Sequence, residues 1–199
     1  MVIPLPVDAP TLQGERVTLE PLSHDHLDGL IRAASDGELW TLWYTSVPRP
    51  EQMAAEIDRR LDLARAGSMV PLATRRRDTG QLIGMTTFMN LDADVPRLEI
   101  GHTWNARSAQ RTGTNVESKL LMLTHAFETW DCVAVEFRTH WLNRQSRTAI
   151  ERLGAKQDGV LRSHRRMPDG SLRDTVVYSI VANEWPGVAN ELRRRLARD

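Results

Sequence analysis

The chain has 199 residues, enough for one domain with a full core or barely two small ones. Apolar residues make up 41% and charged residues 26%, the balance of a soluble globular protein. The formal net charge is zero, so no global field draws the chain to nucleic acid or to an anionic membrane.

Met1 to Pro10 has neither a basic start nor a long apolar core, and Pro4, Pro6 and Pro10 interrupt it, so it is not a secretory signal. No apolar run approaches the roughly 18 residues a membrane helix needs. Arg16 to Glu20 alternates polar and apolar, the pattern of a half-buried strand. Ser23 is placed to cap a helix carrying Leu27, Leu30, Ile31 and Ala34 on one face. Gly37 to Arg49 is an aromatic loop. Pro50 suits the first turn of a second helix, with Met53, Ile57, Leu61 and Ala64 along one side and Gly67 at its end.

Val70 to Arg77 and Leu82 to Met89 flank Asp78-Thr79-Gly80, a hairpin signal. Arg97 to Trp104 is the next strand. Gln110 to Asn115 is then a short loop with one glycine, Gly113, running into an amphipathic helix. Val116, Leu120, Leu123, Phe127 and Trp130 form its apolar stripe, with Glu117, Lys119 and Glu128 elsewhere. Val133 to Arg138 alternates again. Asn143 caps a helix that ends at Gly154. Gly159 to Met167 and Leu172 to Val181 flank Pro168-Asp169-Gly170-Ser171, a second hairpin. A last helix, about 183 to 198, carries Val188, Leu192 and Leu196 on one side. With no repeat and no linker, a single mixed α/β domain over 1–199 is expected, its core at about 14–182.

The Gly113 loop carries the chemistry. Thr112, Gly113 and Thr114 lack bulk, and the helix they open leaves about four N–H donors unpaired at a partly positive end. That arrangement suits a phosphate or pyrophosphate. A strand from Leu98 to Trp104 precedes the loop, a strand from Val133 follows the helix, and Asn143 to Ala155 comes next. This order resembles the GNAT superfamily of acyl-CoA-dependent N-acyltransferases, and most of all its RimJ/RimL branch, the ribosomal-protein N-terminal acetyltransferases. The family motif is Gln or Arg, two residues, Gly, one residue, Gly or Ala. Gln110, Gly113 and Asn115 stand at those positions, and Asn115 departs from the usual last residue.

The resemblance implies a mostly antiparallel sheet flanked by helices, with its fourth and fifth strands splayed apart. It implies acetyl-CoA as co-substrate, no metal, and an amine acceptor, either a peptide N-terminus or a small molecule. It places the diphosphate on Gln110, Arg111, Thr112, Gly113, Thr114 and Asn115, and the pantetheine arm along Thr103, Trp104 and Asn105 by strand addition. Asn143 and Arg147 close the other side. Ser146 stands near the departing sulfur, where a thiol with a pKa near 8.5 needs little acid help. Glu99 is the candidate base, acting through water with a raised pKa; His102 and His164 are weaker candidates. Some relatives place a catalytic Glu near position 165, where this chain has Arg165. Trp40, Trp43 and Tyr44 are expected to line the acceptor cleft, and Asp92 and Asp94 to offer charge to a cationic amine.

Cys132 is the only cysteine, which excludes an internal disulfide and points to a reducing, cytoplasmic setting. It reads as a buried small residue rather than a nucleophile. Arg75-Arg76-Arg77 and Arg193-Arg194-Arg195 read as solvated faces rather than nucleic-acid patches. His24 and His26 diverge and lack a third ligand, so a metal hydrolase is disfavoured. No Gly-x-x-x-x-Gly-Lys loop supports a kinase, and no Gly-x-Gly-x-x-Gly supports a Rossmann oxidoreductase. The rival from another class is a non-catalytic acyl-CoA-binding sensor or scaffold. Homodimerisation stays open.

Overall fold

The computed structural model describes residues 8–44 and 47–198. The reading of the first ten residues therefore falls largely outside the described part, as do two residues of the aromatic loop.

Among the described residues eight strands form one sheet in the order β1-β2-β3-β4-β5-β6-β8-β7. They are β1 (Leu12–Gln13), β2 (Val17–Pro21), β3 (Met69–Arg76), β4 (Leu82–Asp92), β5 (Arg97–Asn105), β6 (Ala134–His140), β7 (Lys156–Arg166) and β8 (Leu172–Val181). Every pairing is antiparallel except β5 with β6. Both expected hairpins form, with Gly80 and Gly170 supplying the left-handed turn residues at φ 70° and 85°.

Among the described residues five α-helices cover the sheet: α1 (Leu27–Ser35), α2 (Met53–Arg65), α3 (Thr114–Thr124), α4 (Arg144–Glu151) and α5 (Trp185–Leu196). Leu30, Ala33 and Ala34 of α1 and Met53 and Ile57 of α2 pack with Ile83, Met85 and Trp104 on one face. Met122 and Leu123 of α3, Ile150 of α4 and Leu192 of α5 pack with Phe88, Leu98 and Val135 on the other. Layers on both sides bury the central strands β3 to β6 and most of β8, whereas β7 at the sheet edge stays largely exposed.

Three helices depart from the expected stripes. On α3, Glu117 and Lys119 are buried although they lie off the apolar stripe. Glu117 accepts the backbone N–H of Glu15, Arg16 and Val17 at 2.8–3.0 Å, tying the entry of β2 to the helix. A π turn at His125–Thr129 then adds a residue, so Phe127 and Trp130 stay in the core after the straight helix has ended. On α2 the buried position after Ile57 belongs to Arg60, with Leu61 only packing at the edge. On α5 the buried line runs through Trp185, Ala189 and Leu192, with Trp185 stacked on Phe127 at 5.2 Å, while Val188 packs at its border.

The candidate active site

The site begins where two strands part. β5 and β6 pair only at Arg97↔Ala134, Leu98↔Val135 and Glu99↔Glu136. Beyond Glu99 each continues without the other, so the edge of β5 from Ile100 onward faces a cleft. This is the expected splay; the two-residue β1 makes the pair the fifth and sixth strands. The cleft measures about 800 Å³ and runs between β5, α4, and the ends of β6, β7 and β8.

On its other side β5 holds β4, with a bulge. Trp104 pairs with Met85 and Gly101 with Thr87, so His102 and Thr103 face the single residue Thr86. His102 absorbs the extra residue in the left-handed region at φ 46°. Its carbonyl accepts a hydrogen bond from Nη2 of Arg60 at 3.2 Å. Burial first, then the Arg60 and Arg59 charges, pushes the His102 imidazole down to about 4, so it is neutral and weakly basic at ordinary pH.

The Glu99 carboxylate lies at the point of the splay, 7% exposed. Asn90 donates to its Oε2 at 2.8 Å and Arg138 approaches the same oxygen at 3.5 Å. Gly101 makes room: a Cβ there would stand 3.0 Å from Oε1. Burial raises the Glu99 pKa in spite of the opposing fields of Arg138, Arg165 and Arg173. Glu99 is thus at once the ion-paired strand carboxylate and a group biased toward holding a proton.

The loop after β5 is pinned from within. Thr112 and Thr114 hydroxyls both donate to the Ala109 carbonyl, at 2.7 and 3.0 Å. Arg111 and Gly113 adopt left-handed backbone at φ 64° and 80°. The first α3 amide to find a helical acceptor is that of Glu117, on the Gly113 carbonyl, so the turn before it projects its donors from the helix end. Gln110, Arg111 and Asn115 line the cleft, whereas Thr112, Gly113 and Thr114 form the loop behind them. The side-chain face of Gly113 looks at Arg16, not at the cleft. Asn115 at the departed motif position bonds Asn105 at 3.2 Å, and Gln110 bonds the Asn105 carbonyl at 3.2 Å. Gln145 of α4 reaches Gln110 at 3.3 Å and bridges the mouth.

On the far wall, Asn143 caps α4 by accepting the Ser146 amide at 2.9 Å, as its position demanded, and both line the cleft. Arg147 does not. Its guanidinium lies 4.3 Å over the Trp141 ring and bonds the Tyr178 hydroxyl at 3.1 Å, outside the cleft lining. Trp104 lines the cleft but buries its ring in the α1/α2 core, and its Nε1 has no hydrogen-bond partner among the described residues. Tyr44 lines the cleft. Trp43 stands at the rim, edge-on to His140 at 5.2 Å, and Trp40 packs against the α1/α2 core. Asp92 spends its Oδ1 on the amides of Asp94 and Val95, closing its own turn.

Sequence reasoning passed over two groups in the wall. Lys119 donates to the hydroxyls of Thr86 and Thr103 at 2.9 and 2.7 Å, under the bulge. Burial alone drops its pKa to about 7. Arg60 is 1% exposed, and its Nη1 has no hydrogen-bond partner among the described residues. Helical spacing held the clue for Arg60, three residues beyond the core residue Ile57; nothing in the sequence marked Lys119. Every charged residue lining the cleft other than Glu99 is basic. Burial, with a smaller contribution from Asp131, pushes the Cys132 thiol up to about 12, which leaves it inert at ordinary pH. Among the described residues no cluster could hold a metal ion, and no helix is long and apolar enough to cross a membrane.

Residues 16–156 match the Acetyltransferase (GNAT) domain. A T. thermophilus protein assigned as an acetyltransferase is 33% identical, over 96% of this chain and 98% of that one, with a TM-score of 0.80. A GCN5-related N-acetyltransferase from Brucella melitensis is 26% identical over 98% and 89%, at TM-score 0.86. Mycobacterium smegmatis RimJ, solved in complex with CoA-disulfide, shares the fold at 22% identity over 94% and 95%, at TM-score 0.79. No curated protein matches the chain significantly. With the domain matched over most of its length and the splayed strands in place, the chain belongs to the GNAT family of N-acetyltransferases.

Proposed function

We propose that this enzyme transfers the acetyl group of acetyl-CoA to a primary amine by direct attack within a ternary complex. The observation that carries the reading is the loss of β5–β6 pairing beyond Glu99, which leaves a strand edge open beside a buried carboxylate. An extended amide-bearing chain can add to that edge as a strand would. Acetyl-CoA, when bound, supplies the activated thioester.

The basic lining fits a polyphosphate. Arg111 and Arg144, with the amides at the start of α3, would hold the diphosphate, and the pinned Thr112–Thr114 backbone keeps those amides aimed. The β5 backbone from Thr103 to Asn105 would hold the pantetheine arm, with the Trp104 side chain serving as its core anchor. Asn143 can turn its amide nitrogen to the arm while its oxygen caps α4. Ser146 would polarise the sulfur region. Arg147 is left out of the binding set, because Trp141 and Tyr178 hold it elsewhere.

Glu99 would take the proton of the attacking amine, directly or through water, its raised pKa matching the task. His102 is too weak a base and His164 is lowered by burial and by three arginines, so neither competes. Tyr44 and Trp43 would flank the acceptor. Most of the rate would come from alignment of two bound partners.

The test is a CoA-release assay over peptides, amino sugars, polyamines and amino acids, with both substrates varied. Intersecting initial-rate lines are expected; parallel lines, the mark of an acetyl-enzyme, would overturn direct attack. Glu99→Gln should cut kcat while calorimetric CoA affinity holds. A kcat and pH profile equal to wild type would remove Glu99 as base.

A further inference from the structure

The cleft has two ends, and the proposed coenzyme residues account for the positive charge of only one. At the other end stand Arg138 on β6, Arg165 on β7 and Arg173 on β8, all facing Glu99. Arg165 and Arg173 are directly paired across the antiparallel β7–β8 ladder. Like charges placed opposite one another on a sheet repel and destabilise it. Burial is the first cause that lowers the Arg173 pKa; Arg165 then adds to it, with only Glu99 opposing.

Little nearby offsets this. Among the described residues neither Arg165 nor Arg173 has a carboxylate at ion-pair distance, and Arg173 spends its Nε on the neutral hydroxyl of Thr175 at 3.0 Å. Arg138 is partly satisfied by Glu136 at 2.8 Å, but Glu136 is shared with Arg97. Burial lowers the pKa of His140 and His164 beside them, with Arg173 adding to it at His140 against Asp174 and all three arginines adding to it at His164. A chain of zero net charge has thus gathered guanidinium groups here, with Glu99 the one carboxylate among the described lining residues of the cleft. The expectation that Asp92 and Asp94 attract a cationic amine runs against this field, since Asp92 is occupied with its own turn.

We propose that the acceptor is an anionic amine, whose carboxylate or phosphate is held between Arg165 and Arg173 while its amino group faces Glu99. The arginines and Glu99 lie within one another's field, so amine and anion belong to the same end of one molecule. An amino acid, an aminoalkyl phosphate and a peptide beginning with Asp or Glu all present that chemistry. Arg is suited to it by its planar two-pronged donation to such oxyanions. This identification rests on the acetyltransferase reading above and narrows it.

The test compares matched acceptors at constant ionic strength: phosphoethanolamine with ethanolamine, aspartate with aspartate diamide, and an Asp-initiated with an Asn-initiated tripeptide, with spermidine alongside. The anionic member should lead by at least about tenfold in kcat/KM in one pair or more, and spermidine should be poor. The pair that leads separates small anionic amines from acidic peptide N-termini. In Arg165→Gln and Arg173→Gln the anionic-to-neutral ratio should collapse toward one. Neutral members or spermidine performing best, or a ratio untouched by both variants, overturns the proposal. A second measurement stands apart from turnover. With CoA saturating, inorganic phosphate should raise the melting temperature of wild type more than chloride does, and should lose that advantage in the double variant. If no amine is acetylated, the transfer reading fails on its own account, and the phosphate comparison still decides the anion site; equal shifts in wild type and variant end it.

Discussion

Lys119→Met tests whether this fold tolerates a buried amine at a measurable cost. The Lys119 residue is 4% exposed, and among the described residues its Nζ meets the Thr86 and Thr103 hydroxyls and the Met122 sulfur. No countercharge repays its desolvation, so its pKa falls to about 7 from an ordinary value near 10.5. The unfolded chain then binds more protons than the folded one between those two values. Folding therefore carries a penalty that is fully present below about pH 7 and fades as pH rises toward the unfolded pKa. The full penalty is on the order of 5 kcal/mol, and about 2 kcal/mol of it should vanish between pH 7 and pH 9. Methionine fills a similar volume, and Thr86 and Thr103 keep their mutual hydrogen bond at 2.8 Å. Urea unfolding of both proteins at pH 7, 8 and 9 isolates the group, because all other titrations cancel in the difference. The variant should be the more stable at pH 7, with the gap closing as pH rises. A gap that stays constant with pH would refute the argument that a charged ammonium is forced into this site.

Two further substitutions probe the loop and its support. Gly113→Val should weaken CoA binding by at least about tenfold by calorimetry, because Gly113 stands at φ 80° and a Cβ there would lie 2.9 Å from Arg16 Nη1; unchanged affinity would show that the loop geometry is dispensable. Glu117→Gln offers one acceptor oxygen to three backbone donors and should cost about 2–4 kcal/mol in denaturant unfolding. A loss below about 0.5 kcal/mol would mean that water satisfies those amides.

The hairpins, the α4 cap at Asn143 and the loop before α3 were legible because each depends on local chemistry: a left-handed glycine, a short acceptor side chain, a run of small residues. The splay followed from resemblance, since no local pattern says where two parallel strands stop pairing. The wall of the cleft was less readable. Arg138, Arg165 and Arg173 are far apart in sequence and meet only because β8 inserts between β6 and β7. Arg147 matched the expected segment but lies on the side of α4 turned to Trp141, a matter of helical phase beyond what segment-level matching resolves. The charged positions on α3 lie off its apolar stripe, and it is partners more than 15 residues away that bury Glu117 and Lys119.

Arg60 links these observations, because it explains why the β5 bulge persists. A left-handed non-glycine residue costs on the order of 1–2 kcal/mol and survives only where its surroundings fix it. His102 is fixed by the hydrogen bond from Arg60 to its carbonyl, and Arg60 is itself oriented by Glu56 at 2.7 Å. The carbonyl so held sets the peptide plane between His102 and Thr103 on the strand that lines the cleft. Arg60 is thus a positioning residue for the strand edge on which acyl transfer would depend. Removing it leaves Glu56 paired with Arg59 at 2.7 Å, so the loss of charge is not a loss of all partners. Arg60→Met should therefore change unfolding free energy by no more than about 1 kcal/mol while lowering kcat at least about tenfold, with a much smaller change in CoA affinity. Arg60→Lys, which restores one donor, should recover part of kcat. Parallel losses of stability and rate, with no recovery by lysine, would reduce Arg60 to a packing residue and leave the bulge without its explanation.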